Sequence, residues 1–369
     1  MTKALVRACA FGFLAVLISG CGGGNGSSPG GGPLAGTGTF FNAPLAAGGK
    51  ITAINASGQM TGDLGFYASP TSAPQPLQAL AGGKASPTGI NASGQIVGFN
   101  AVPSGDPAAA TPLFWPTPTS VPTVLQPLVS GAVTRAWAIN SRGQIVGMSE
   151  TVSGSVQTYT PIYWPDSTAA PRSLPNGVFT YSPGGFDFSP YDPSNSFYIA
   201  DDGTILVAGG TGSNSSSEVF KVPASASDPI QGPISLQPAA GASTQYPSQG
   251  SALSTNGIIA GTSAALTPVL WSTPAVVPQV LPVPAGFQAY YRYLNSINSK
   301  AVVVGVLQNK TTVPYLWRDG KALEIGTLLP TGTAITITGA LLINDSGVVV
   351  VTGRKTINSV DEYFVLVPR

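Results

Sequence analysis

Ile90-Asn91-Ala92-Ser93-Gly94-Gln95-Ile96-Val97-Gly98 returns as Ile139-Asn140-Ser141-Arg142-Gly143-Gln144-Ile145-Val146-Gly147. Five looser copies put Gly58, Gly203, Gly257, Ala301 and Gly347 in the slot of Gly94 and Gly143, so seven copies stand 36 to 60 residues apart, about 48 on average. That period belongs to the four-stranded propeller blade and is too long for one rung of a β-helix. Within a copy, Asn-x-x-Gly has the chemistry of a hairpin turn: the Asn side-chain oxygen caps the turn, and Gly takes the left-handed position of a type I turn with a bulge. Apolar residues flank it, as in Ala136-Trp137-Ala138-Ile139 before and Ile145-Val146 after, which makes both arms buried strands. Turn geometry accounts for the asparagines, and two slots hold Ala200 and Ser254 instead.

Each copy is followed by an aromatic strand: Gly65-Phe66-Tyr67, Pro112-Leu113-Phe114-Trp115, Pro161-Ile162-Tyr163-Trp164, Glu218-Val219-Phe220, Pro268-Val269-Leu270-Trp271, Pro314-Tyr315-Leu316-Trp317 and Glu362-Tyr363-Phe364-Val365. A leucine-bearing strand then closes the unit at Leu125, Leu174, Leu236, Leu281 and Leu323, with Leu77 or Leu80 in the first. Four strands per unit follow, with the tryptophans as repeated packing plugs. The last unit stops at Arg369 one strand short, while Thr39-Phe40-Phe41-Asn42-Ala43-Pro44-Leu45 matches the closing strand of an earlier unit. An N-terminal strand that completes the final blade closes the ring without exposed edges. The expected fold is all-β: a seven-bladed β-propeller of four-stranded blades spanning residues 37–369.

Composition agrees. Charged residues are 8% and hydrophobic ones 43%, with 46 Gly and 34 Pro, which suits short strands and tight turns. Residues 1–20 carry Lys3 and Arg7 and no acid, leaving 14 basic against 15 acidic side chains in the remainder. Nothing in that balance steers toward nucleic acid. The chain has no histidine, which excludes His-based triads and His metal ligands. No metal-ligand cluster or calcium loop is spelled out, so no cofactor is expected.

The first twenty residues run from a basic start through the apolar stretch Ala8 to Ile18 to Ser19-Gly20, the pattern of a secretory signal. Leu17-Ile18-Ser19-Gly20-Cys21 resembles the lipobox of bacterial lipoproteins, which implies acylation of Cys21 and anchorage through several acyl chains. By the same resemblance, Gly22 after the cysteine implies the outer membrane. Residues 21–36, nearly all Gly, Ser, Pro and Asn, read as a flexible tether. Cys9 leaves with the signal, so no disulfide is expected. The phrase Ile-Asn-x-x-Gly-Gln-Ile-Val-Gly followed by a Phe-Trp or Leu-Trp strand resembles the repeat of the HAF family of extracellular repeat proteins over residues 39–368, with Ala301 departing from the turn glycine. The resemblance implies a secreted or surface repeat protein and names no activity.

Two places break the repeat. The longest interval holds an aromatic insertion, Phe179, Tyr181, Phe186, Phe188, Tyr191, Phe197 and Tyr198, beside Asp187 and Asp192. Such platforms suit stacking on sugars or capture of extended peptides, and equally a packed loop over the ring. The second is Phe287 to Tyr293, where Tyr291 and Arg292 lead into the sixth blade. With Arg135 in the comparable slot before blade three, Arg292 offers an anion a guanidinium fork, or serves as a solvated edge cation. The expected function is a monomeric, lipid-anchored envelope propeller that binds a glycan or protein partner. The alternatives are a carbohydrate-active enzyme using Asp187 and Asp192, or a purely structural envelope component.

Overall fold

The computed structural model describes residues 40–102, 110–154, 156–175, 179–181, 197–208, 217–223, 228–242, 248–263, 266–288, 294–356 and 359–369. Seven antiparallel sheets follow one another, five of them built in chain order from an inner, second, third and outer strand. Blade 1 is Ile51–Ile54, Met60–Gly62 and Gly65–Tyr67, its outer strand reduced to a single bridge between Phe66 and Gln75. Blade 2 is Lys84–Ile90, Ile96–Ala101, Thr111–Trp115 and Thr123–Val124. Blade 3 is Val133–Ile139, Ile145–Ser153, Val156–Trp164 and Arg172–Ser173, with Phe179–Tyr181 added to the far end of its third strand. Blade 4 is Phe197–Ile199, Thr204–Val207, Glu218–Lys221 and Gln231–Ile234. Blade 5 is Gln249–Leu253, Ile259–Ser263, Thr267–Trp271 and Gln279–Val280. Blade 6 is Leu294–Ile297, Val303–Gln308, Thr312–Arg318 and Lys321–Glu324.

Blade 7 closes the ring from both ends of the chain. Thr336–Ile343, Val349–Arg354 and Glu362–Leu366 take as their fourth strand Leu45–Ala46, with Leu45 opposite Val365 and Ala46 opposite Phe364. Phe41, fully buried, bridges Pro368 and packs between blades 6 and 7. The expected seven-bladed propeller and its closing strand are both present. The first blade departs from four full strands because Pro74 and Pro76 flank Gln75 and deny the sheet their N–H groups.

Among the described residues there is one apolar cluster at each of the seven junctions between blades. Each blade therefore buries both faces, and alternation along the strands decides which residue meets which neighbour. In blade 2, Ile96, Leu113 and Trp115 pack toward blade 1, whereas Val97 and Phe114 pack toward blade 3. The end of the third strand holds the plug: Tyr67, Trp115, Trp164, Phe220, Trp271, Trp317 and Leu366 each pair with the residue two after the turn glycine or its stand-in. The four indoles are at most 1% exposed. Each donates Nε1–H to a carbonyl of the chain entering from the preceding blade: Gln78, Gln126, Gln237 and Pro282, at 2.7 to 2.9 Å. Burying the ring and satisfying its one donor in the same stroke is what tryptophan does better than any other residue.

The turn glycines adopt φ between +77° and +90°. Ala301 fills the same slot at φ +58°, so the hairpin forms there against the side chain's preference. Ala301→Gly is expected to raise unfolding stability by about 1 kcal/mol, read from urea midpoints.

Because consecutive strands run antiparallel, the connections alternate between the two faces of the ring. On the face carrying the Asn-x-x-Gly turns every inner-to-second connection has four or five residues, while the third-to-outer connections of the same face run from two to nine. On the opposite face, second-to-third connections run from two to ten residues, and the link between blades 3 and 4 runs from Leu174 to Ser196.

Candidate functional site

The asparagine of the phrase does more than turn the chain. In blade 3, Asn140 Oδ1 accepts from the N–H of Arg142 and of Gln144, which is the expected cap. Its Nδ2 donates to Gln144 Oε1 at 2.7 Å and to the Ala200 carbonyl of blade 4 at 3.0 Å. Asn55 and Asn91 repeat this set toward Asn91 and Asn140, and Asn298 reaches the Asn344 carbonyl. Asn344 reaches back to the Asn55 carbonyl at 2.9 Å. Where Ala200 and Ser254 replace asparagine, Asp201 N–H donates to the Thr255 carbonyl and Asn256 Nδ2 to the Ser299 carbonyl. All seven junctions are thus tied in one closed belt around the axis.

A second belt lies one turn deeper. In blades 1, 2, 5 and 6 the inner strand bulges, and the bulged residues Thr52, Thr88, Ser251 and Asn295 donate to carbonyls of the next blade at 2.6 to 2.8 Å. Blade 3 bulges at Trp137 instead, whose buried Nε1 has no partner among the described residues.

Inside the belts is a cavity of about 250 Å³ lined by all seven inner strands. Its collar is the residue before each asparagine slot: Ile54, Ile90, Ile139, Ile199, Leu253, Ile297 and Ile343. Its mouth is the residue after that slot, with Ala56, Ala92, Ser141, Asp201, Thr255 and Asp345 among the lining. Asp201 Oδ1 accepts from Ser141 N–H at 2.8 Å and Asp345 Oδ1 from Ser299 N–H at 2.7 Å. Thr255 reaches both acids, accepting from Asp201 N–H through its carbonyl and donating Oγ1–H to Asp345 Oδ2 at 3.4 Å. The arc of blades 4 to 7 is therefore knitted over, and the arc of blades 1 to 3 carries only small residues. The neighbouring Asp202 is an ion pair with Lys221: burial alone would raise its carboxyl, but hydrogen bonds from Lys221 and Thr204 hold it below the usual range.

The sequence-derived candidates fall elsewhere. Arg135 is buried, 3.3 Å from Glu150 Oε2 and 5.6 Å from the centre of the Phe99 ring, so its charge is already met inside the protein. Tyr181 ends the strand added to blade 3, opposite Gln157. Phe186, Phe188, Tyr191, Tyr291 and Arg292 lie outside the described residues, as do Asp187, Asp192 and Cys21. Among the described residues no three Cys, Asp or Glu side chains are grouped to hold a metal. No described helix is long and apolar enough to cross a membrane. The mouth residues Asp201 and Asp345 had only one signal in the sequence, their shared place directly after the asparagine slot.

One carboxyl is out of character. Glu218 pairs with Val207 in the strand position that holds Leu113, Ile162, Val269, Tyr315 and Phe364 in other blades. Its buried Oε2 has no partner among the described residues, and burial pushes its pKa up. A folded-state pKa raised above the unfolded value favours the folded chain at low pH, and that contribution is lost as pH rises through it. Glu218→Gln is therefore expected to remove a fall in stability that the parent shows as pH climbs from about 4.5, measured as melting temperature against pH.

Comparison with protein-family models and with curated proteins finds no match to this chain.

Proposed function

We propose that this chain is a lipoprotein of a bacterial cell envelope, held at the outer membrane by acylated Cys21, whose propeller binds a glycan or protein partner on the face opposite the asparagine turns. The observation that carries the reading is the asymmetry of the ring. The inner turns of one face are uniform and spent on belts that hold the blades together, while the opposite face collects the longest links between blades and the strand added to blade 3. Recognition resides on loops that a rigid scaffold displays, so the irregular face is the one free to specialise. The signal-like residues 1–20, the Leu17 to Cys21 segment and the resemblance of the repeat to the HAF family support the address.

The test uses the full chain in two forms. Labelling with a fatty-acid analogue should mark the parent and not Cys21→Ser; equal labelling removes the anchor. The Cys21→Ser chain, immobilised, is then screened against a glycan array and an envelope extract. Retention that is lost when the Phe179–Tyr181 strand is replaced by a Gly-Ser link supports the irregular face, and consistent silence in both screens overturns the binding reading.

A further inference from the structure

We infer that the open arc of the channel mouth, over blades 1 to 3, binds a small aliphatic α-amino acid, whose carboxylate accepts from the main-chain N–H groups of Ala56 and Ala92. The ring supplies its own template for this contact. The turns of blades 1, 2, 3 and 6 share one set of bonds: the asparagine Oδ1 accepts from the second and fourth following N–H, and the residue in the glycine slot donates to the asparagine carbonyl. Turns so alike aim the N–H of the residue after asparagine the same way. In blades 3 and 6 that N–H, from Ser141 and Ser299, is taken by a carboxylate oxygen of Asp201 or Asp345 in the next blade. In blades 1 and 2 the next blade offers Ala92 and Ser141 at that place, and the N–H groups of Ala56 and Ala92 have no partner among the described residues. A position that accepts a carboxylate twice within the same molecule is matched to a third carboxylate brought by a ligand.

The rest of the mouth specifies the remainder of the ligand. Among the described residues, Asp201 and Asp345 are the only charged ones lining the cavity, and they flank the open arc on either side. Asp201 Oδ2 has no partner among the described residues. A bare carboxylate would meet two acids with nothing to offset them, whereas an α-ammonium group pairs with the flanking carboxylates while its own carboxylate takes the N–H pair. Below the mouth stand Ile54, Ile90 and Ile139, an apolar floor for an aliphatic side chain. The cavity of about 250 Å³ lies just under the range of drug-sized pockets, which limits the ligand to a single residue's bulk. This site is on the turn face, so it stands or falls apart from any partner of the opposite face.

Calorimetry on the full-length chain separates the contributions, using L-leucine, 4-methylpentanoate, which lacks the ammonium, and 3-methylbutylamine, which lacks the carboxylate. L-leucine should bind, and each half-ligand should bind at least tenfold more weakly. Ala92→Asp places beside Ala56 the carboxylate that Asp201 places beside Ser141; it should keep or raise the melting temperature and weaken leucine at least tenfold. Asp201→Asn should weaken leucine and leave 4-methylpentanoate no weaker, since it removes one of the two acids that oppose a bare carboxylate. No heat with leucine, equal binding of a half-ligand, or leucine affinity unmoved by both substitutions overturns the assignment.

Discussion

Asn140→Ala should cost about 3 kcal/mol of unfolding free energy, one of the two largest effects expected for a single change in the ring. Asn140 is 3% exposed and makes four hydrogen bonds, two through Oδ1 and two through Nδ2. Alanine removes all four, leaves the Gln144 amide oxygen and the Arg142 and Gln144 N–H groups without the partner Asn140 gave them, and leaves the Ala200 carbonyl with the Gly203 N–H alone. A net value of about 1 kcal/mol for each neutral bond, with a further penalty for groups left buried and unpaired, gives the magnitude. The informative variant is Asn140→Asp. Aspartate keeps the oxygen that caps the turn and loses the amide that ties blade 3 to blade 4, setting a carboxylate oxygen against the Ala200 carbonyl. If the belt matters, Asp should be at least as damaging as Ala; if the residue only shapes the hairpin, Asp should be nearly neutral. Asn140→Ser should be milder than alanine, since Ser254 in blade 5 already holds its turn with Oγ accepting from Ile258 N–H. Urea midpoints for the three variants decide it, and a neutral aspartate would reduce the belt to a by-product of the turn.

That prediction marks where the sequence could be read and where it could not. The hairpin role of Asn-x-x-Gly was legible because it depends on four consecutive residues, as were blade count and ring closure, which depend on counting repeats. The amide's reach to the next blade was not, because it depends on how two copies 36 to 60 residues apart are set side by side. The same limit hid the reason for Gln59, Gln95 and Gln144, which orient the belt asparagines in blades 1, 2 and 3. Arg135 shows the limit from the other direction. Its slot before blade 3 suggested an anion reader, yet its partner Glu150 sits on the adjacent strand, in a register that only the bulge between Val146 and Gly147 sets. Asp201 and Asp345 each follow an asparagine slot in their own copy, and only the ring places them on one mouth.

Gly147→Ala should cost at least about 3 kcal/mol, for a reason unrelated to backbone freedom. Gly147 is the last residue of the phrase and pairs with Ala136 just where the inner strand throws Trp137 out as a bulge. A methyl group there would run into the Arg135 carbonyl oxygen and stand 2.9 Å from the Trp164 ring and 3.0 Å from Ala136 Cα. None of these can yield: two are backbone of the innermost strand, and Trp164 is fully buried with its indole N–H bonded to the Gln126 carbonyl. Gly62, Gly98 and Gly261 meet the carbonyls of Lys50, Ser86 and Gln249 in the same way. Blade 4, which pairs without a bulge, has Val207 in this slot. Blade 7 keeps the corresponding bulge, between Ala340 and Leu342, with Val351 in this slot, and adds another between Ile337 and Gly339. In blades 1, 2, 3 and 5 the glycine lies directly against the bulged strand's backbone, and in blades 1, 2, 5 and 6 the bulge delivers the side chain of the deeper belt. Gly131→Ala is the control, because Gly131 sits at φ +79° with nothing within 4 Å of the added carbon and should lose only the conformational term of about 1 kcal/mol. Should the two variants unfold at the same urea concentration, close approach of the inner strand is not what holds glycine in the phrase.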